Sequence, residues 1–179
     1  EGWAWVQPGI IRDDLNKELA SFGCFFAPET STANRAMIGG MIGNNSCGSN
    51  SVVYGSTREH LLEVKTVLAD GNEAWFGPLD ESAFLARCNG QGTSGDLHAN
   101  VYQETRKILS SEANQQEIVA GYPHPDIPRR NTGYALDLLL QTTPFNSKSE
   151  NSETAFGDFN FSKLIAGSEG TLAFMTAIK

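Results

Sequence analysis

The residues best suited to hold a ligand lie in one run, Ile38-Gly39-Gly40-Met41-Ile42-Gly43-Asn44-Asn45-Ser46-Cys47-Gly48, which packs four glycines with two asparagines and a serine. Glycine lets backbone N–H groups approach an anionic or planar ligand closely and admits positive φ. A second run, Gly167-Ser168-Glu169-Gly170-Thr171-Leu172, follows an apolar stretch and leads into a strand pattern. Taken alone, such a run is more often a turn than a site. Two of them flanking strands in one short chain point to a ligand cradle. Other chemistries find less support. There is no GxxxxGK[ST] loop, and Gly39, Gly40 and Gly43 lack the GxGxxG spacing and a preceding strand. Gly92-Thr93-Ser94-Gly95 lacks the apolar strand that precedes a nucleophile elbow. His60, His98 and His124 stand singly, with no metal-ligand spacing, so no metal site and no catalytic residue is assigned. Cys47 reads as a small packed thiol.

The elements that must position these runs are legible in part. Residues 2–6 read as a short apolar strand, and Pro8-Gly9 as a turn. Asp13 or Asp14 is expected to cap a helix whose Leu15, Leu19 and Phe22 share one face, with Gly23 at its C-terminal end. Residues 24–27 return as a short extended piece. Residues 28–58 show no periodicity and read as a long, well-specified loop. Leu62, Val64, Thr66 and Leu68 alternate, Asp70-Gly71 is a two-residue hairpin signal, and residues 73–76 pair back. Helices are expected over 80–87, 100–119 and 133–140, with proline breaks at 123, 125 and 128. The polar stretch 148–153 is expected to be mobile. Residues 161–166, a Gly-Ser-Glu-Gly turn and a strand over 171–178 close the chain. The fold class is α+β, a small and mainly antiparallel sheet flanked by helices.

Composition bounds the partners. A length of 179 residues holds one ordinary domain or two small ones. A net charge of −8 repels phosphate backbones, which argues against nucleic acid. No apolar run reaches the ~20 residues of a membrane span, and no signal peptide is visible. Three cysteines, odd in number and outside any CxxC, fit a reducing cytoplasm. Both ends read as cut through structured chain, the expectation for a fragment.

Pro28-Glu29-Thr30-Ser31, the 38–48 run, Tyr54-Gly55, residues 62–71 and residues 165–172 occur in one order. That order resembles the FAD-binding domain of the vanillyl-alcohol oxidase and p-cresol methylhydroxylase type, and within it the FAD-linked dehydrogenases of D-2-hydroxy acids (D-lactate, glycolate, D-2-hydroxyglutarate). The resemblance implies the second subdomain of such a domain at residues 1–79 and 161–179, with a mainly helical insert at 80–160. The insert, with Pro128-Arg129-Arg130-Asn131-Thr132-Gly133-Tyr134, resembles large bacterial members that also carry an iron–sulfur portion. It implies cofactor contacts at Pro28, Glu29, Thr30, Ser31, Ile38, Gly39, Gly40, Gly43, Asn44, Asn45, Ser46, Gly48, Glu169, Gly170 and Thr171. Arg35 is the only nearby cation, so backbone amides would meet the pyrophosphate. The family's earlier R-x-G-G-G-T-S loop would precede this chain, and Gly90-Gln91-Gly92-Thr93-Ser94-Gly95 mimics it in the wrong order. The substrate cap would follow it. The intact protein is then expected to oxidise a small 2-hydroxy acid, in the cytoplasm or peripherally at the inner membrane. The alternatives are a non-enzymatic FAD-binding or subunit-interaction module, or another reductase on the same fold.

A site split in this way keeps one wall of its cradle. Loss of several kcal/mol of contacts weakens binding tenfold for each ~1.4 kcal/mol. The 179-residue chain is therefore expected to fold, to purify colourless, and to be inactive alone. Self-association is one way to cover the bared apolar face. Titration with FAD followed by flavin fluorescence checks this; saturable binding at micromolar FAD would contradict it.

Overall fold

The computed structural model describes residues 2–124, 126–127, 129–130, 133–146 and 157–179. The expected mobile stretch at 148–153 lies outside the described residues. Alternation makes the sheet: β1 (Val64–Val67) lies between β2 (Glu73–Phe76) and β3 (Phe174–Ile178), antiparallel to both. Val64 pairs with Phe76 on one side and Ile178 on the other, and all three are buried. The hairpin loop holds three residues, not two. Leu68 N–H donates to Asn72 O and Gly71 N–H to Leu68 O, both at 3.0 Å, with Gly71 at φ +84°. Glycine at the third position lets the chain close on a bulge with the right twist.

Several expected elements change at their ends. Residues 2–6 supply a single antiparallel bridge, Val6 to Ile178, rather than a strand. The last strand starts at Phe174, because Glu169 and Gly170 hold positive φ and residues 171–173 still belong to the turn they make. Helix α1 (Arg12–Ala20) is preceded by Ile11, which bridges to Met37, while Asp13 and Asp14 sit in the first turn against the positive helix end. Leu15 is buried, but Phe22 lies past the helix end and is exposed.

The largest difference is in residues 28–58. Instead of one long loop they contain α2 (Ile38–Asn44), α3 (Ser51–Tyr54) and α4 (Thr57–His60). Ile38, Met41 and Ile42 fall at helical spacing and are all buried. That burial outweighs the helix penalty of glycine, about 1 kcal/mol each. In the middle of the chain, α5 (Glu81–Cys88) is capped by Asp80, whose Oδ1 accepts from Ala83 N–H at 2.8 Å. The helix expected over 100–119 is two, α6 (Asp96–Leu109) and α7 (Glu112–Gly121), separated at Ser110-Ser111. Then come α8 (Leu136–Leu140) and α9 (Ser162–Ile165).

An aromatic cluster joins these helices to the sheet. Phe76 of β2 meets Phe161 at 5.6 Å, Tyr102 of α6 meets Phe161 at 5.0 Å, and Phe84 of α5 meets Phe159 at 4.4 Å between ring centroids. Such pairs add about 0.5–1.5 kcal/mol each beyond area burial. His98 lies inside the cluster, 5.2 Å from Phe76 and 5.5 Å from Tyr102. Its Nδ1 accepts from Ser94 N–H at 3.1 Å, which leaves the ring proton on the buried Nε2. Burial, and then the charge of Arg87, hold His98 below the usual histidine range. The unfolded chain therefore binds a proton that the folded one refuses. The stabilising contribution is complete above pH ~6.5, the ordinary histidine value, and is lost as pH falls below it. Urea midpoints measured between pH 8 and pH 5 are expected to fall on the acid side, and the slope to be shallower in His98→Gln.

Candidate functional site

The two glycine runs meet. Helix α2 ends at Asn45, whose left-handed backbone (φ +52°, ψ +49°) turns the chain and leaves terminal carbonyls to be satisfied. The 167–171 turn satisfies two of them: Gly167 N–H donates to Ile42 O and Glu169 N–H to Gly43 O, both at 2.9 Å. Asn44 Nδ2 adds a bond to Glu169 Oε1 at 3.0 Å. A Cβ on Gly43 would stand 3.8 Å from Glu169 Cα and Gly170 N, so the two backbones lie in contact. Met37, Gly40 and Asn44 are all exposed, and their spacing places them on one stripe of the helix. Nothing lies within 4 Å of a Cβ built on Gly40 or on Gly170. The surface formed by Gly40, Asn44, Glu169, Gly170 and Thr171 is open, and glycines leave two positions on it bare of side chains.

Other expected site residues sit elsewhere. Pro28 is buried and its carbonyl accepts from Arg12 Nε at 3.1 Å. Glu29 binds the 47–50 stretch: its N–H donates to Cys47 O at 3.3 Å and its Oε2 accepts from Asn50 Nδ2 at 2.8 Å. Gly48 is required there, since at φ +76° a Cβ would fall 2.0 Å from Glu29 O. Thr30 pairs with the Thr32 hydroxyl at 3.2 Å, and Ser31 is exposed. Ile38 is in the core, and Gly39 lies against Pro8, with a Cβ at 2.7 Å from its Cβ. The N–H groups of Ile38 and Gly39 donate to Ile10 O and Pro8 O at 2.9 Å, so these two donors face protein. Asn45 is buried, and its Oδ1 accepts from Ser56 Oγ and Arg58 N–H, both at 2.8 Å. Ser46 Oγ donates to Asn44 Oδ1 at 3.0 Å. No bond directly joins Pro28, Glu29, Thr30 or Ser31 to the 167–171 turn among the described residues.

Sequence reasoning passed over the groups that hold this arrangement. Arg58 is buried, and its guanidinium donates to three carbonyls: Lys163 O at 2.9 Å, Gly133 O at 2.7 Å and Ala166 O at 2.6 Å. Lys163 Nζ donates in return to Arg58 O at 2.9 Å and Leu61 O at 2.5 Å. Burial pushes both cations below their ordinary pKa values. One sequence signal did exist: Ser56 and Glu59 form a capping box around Thr57 and Arg58, which marks a helix start inside the supposed loop. Arg35, the cation expected near the site, is exposed and bonded to Asn34. A cavity of about 580 Å³ lies apart from the glycine surface and is lined by Trp3, Leu19, Phe25, Phe26 and Leu62 among others. Of the expected cofactor residues it touches Ile38 alone. Among the described residues no three His, Cys, Asp or Glu side chains group as metal ligands, and no helix is long and apolar enough to cross a membrane.

Residues 1–77 match the model of an FAD binding domain. D-2-hydroxyglutarate dehydrogenase of Escherichia coli is 38% identical over 98% of the chain, and that of Pseudomonas putida 36% over 100%. Glycolate oxidase subunit GlcD of Bacillus subtilis is 39% identical over 38% of the chain. The chain belongs to the FAD-linked D-2-hydroxyacid dehydrogenase family. It spans 15–16% of the length of the two dehydrogenases. In this family member Arg58 is the group whose removal should cost most near the glycine surface, because three carbonyls would lose a donor at once and that of Ala166 lies in a buried position. Arg58→Met is expected to lower stability by at least about 2 kcal/mol in denaturant titration. Arg58→Lys should recover only part, since an ammonium lacks the planar fork.

Proposed function

We propose that this chain supplies part of the FAD site of an enzyme that oxidises a small 2-hydroxy acid of the D-2-hydroxyglutarate, D-lactate or glycolate class. The observation that carries the reading is the open surface at Gly40, Asn44, Glu169, Gly170 and Thr171. Two runs separated by more than a hundred residues are bonded edge to edge there, with bare backbone facing outward. A flat ring system or a pyrophosphate needs such close access to backbone. Bound FAD supplies the two-electron acceptor for the hydroxy acid. The chain's own part is to hold and orient that cofactor: Gly40 and Gly170 by leaving space, Asn44 and Thr171 by offering side-chain hydrogen bonds.

In this reading residues 1–79 and 161–179 form the second subdomain of the FAD domain, and residues 80–160 are an insert that shares its aromatic core. Glu29, Thr30, Ser31, Ser46 and Gly48 form a second, neighbouring contact region, joined to the first through the 45–48 chain. Pro28, Ile38, Gly39 and Asn45 serve it from below, as packing and capping residues. The substrate and the groups that act on it are held by the part of the polypeptide that corresponds to the remainder of the relatives' length. The apolar cavity beside Trp3 and Phe25 is a face for that remainder, or for a second copy of the chain when it stands alone. A cytoplasmic setting agrees with three unpaired thiols.

Gly40 offers a clean test in the whole flavoprotein. It is exposed, helical and unobstructed, so Gly40→Ala should raise helix stability by up to about 1 kcal/mol. Gly40→Val is expected to leave the far-ultraviolet spectrum near wild type while abolishing flavin retention, read from the visible absorbance of the purified protein. Flavin retained at wild-type stoichiometry in Gly40→Val would remove Gly40 from the site.

A further inference from the structure

Two residues close together in sequence, Arg129 and Tyr134, reach the two separate contact regions by the same device. On one side, Ser51 Oγ donates to Gly48 O at 2.9 Å, which uses the hydroxyl's single proton. It must therefore accept from Arg129 Nε, at 2.9 Å, while Arg129 Nη2 donates to Gly48 O at 2.7 Å. On the other side, Thr171 Oγ1 donates to Ser168 O at 2.7 Å. It must then accept from the Tyr134 hydroxyl, 2.6 Å away. In both turns the hydroxyl closes its own loop and is held from outside by a donor.

The second of these donors is itself anchored. Tyr122 O–H donates to Tyr134 O at 2.5 Å, and Arg58 donates to Gly133 O at 2.7 Å. Gly133 crosses so close to the second turn that a Cβ on Gly167 would lie 2.9 Å from Gly133 O and 2.6 Å from Arg58 Nη2. Gly48 in turn carries Glu29, and the second turn carries Glu169 on the end of α2. Arg129 and Tyr134 are both exposed, so neither contributes to the aromatic core.

We infer that Arg129 and Tyr134 are positioning residues for the cofactor site, setting the 48–51 and 168–171 turns relative to each other so that both meet one ligand. The inference rests on the FAD reading above and adds two residues from the middle of the chain to it. Neither is a catalytic residue.

The test uses the whole flavoprotein with Tyr134→Phe, which removes one hydroxyl from an exposed ring, and Arg129→Lys, which keeps the charge and loses the fork. Loss of one such bond is expected to weaken FAD binding about threefold to tenfold. It should also change the visible circular dichroism of the bound flavin and speed amide exchange at 168–171 in Tyr134→Phe and at 48–51 in Arg129→Lys. Thermal unfolding of the apoprotein should stay near wild type. Faster exchange with unchanged FAD affinity and an unchanged flavin spectrum would overturn the positioning role. Unchanged exchange would overturn it as well, because the turns would then not depend on these donors. A wild-type protein that holds no FAD would remove the cofactor reading and this inference together. Wild type and variants that hold FAD equally would remove this inference alone.

Discussion

A buried cation held by backbone carbonyls is the constraint around which this molecule is arranged. The Arg58 guanidinium has left water, and only well-placed acceptors can compensate. It finds three backbone carbonyls, from Gly133, Lys163 and Ala166. Those acceptors come from distant parts of the chain, so satisfying one side chain brings α4, the 133–134 stretch and α9 to a single point. Lys163 closes the arrangement by donating back to Arg58 O. Gly167 follows directly after Ala166, and the turn that begins there docks on the last carbonyls of α2. The glycine surface is thus a consequence of where a buried charge had to find its partners.

The glycines divide by what surrounds them. Gly48 and Gly167 are positions where a side chain would collide with backbone or with Arg58, and both have positive φ. They belong to the scaffold. Gly40 has open space before it, and its helix would be more stable with alanine. A glycine that neither packing nor backbone angle explains calls for another cause, and close approach of a ligand provides one. Gly43 lies between the two cases, in contact with Glu169 and Gly170.

Helices α5 and α6 pack on the sheet through their aromatic side chains. Phe84 and Tyr102 share a cluster with Phe76 of the sheet and with Phe159 and Phe161, so the middle helices and the sheet bury one another's apolar faces. The middle of the chain also sends Arg129 and Tyr134 to the turns that flank the open surface. Residues far in sequence from the two glycine runs are thus bonded to the turns beside this surface.

Local chemistry determined the parts that local order can specify. Alternation at Val64, Thr66 and Leu68 with glycine at 71 was enough for the hairpin, and Asp80 for the start of α5. The order of short runs, from Pro28 to Thr171, was enough for the family. Tertiary structure decided the rest. Ile38-Gly39-Gly40-Met41-Ile42 has poor helix propensity and reads as a loop; it is helical because Ile38, Met41 and Ile42 have a core to enter. Ser110 and Ser111 break a helix that periodicity alone would continue. The place of Arg58 was invisible for a similar reason. A lone arginine reads as solvated surface until the carbonyls that receive it, from 75 to 108 residues further along, are folded around it.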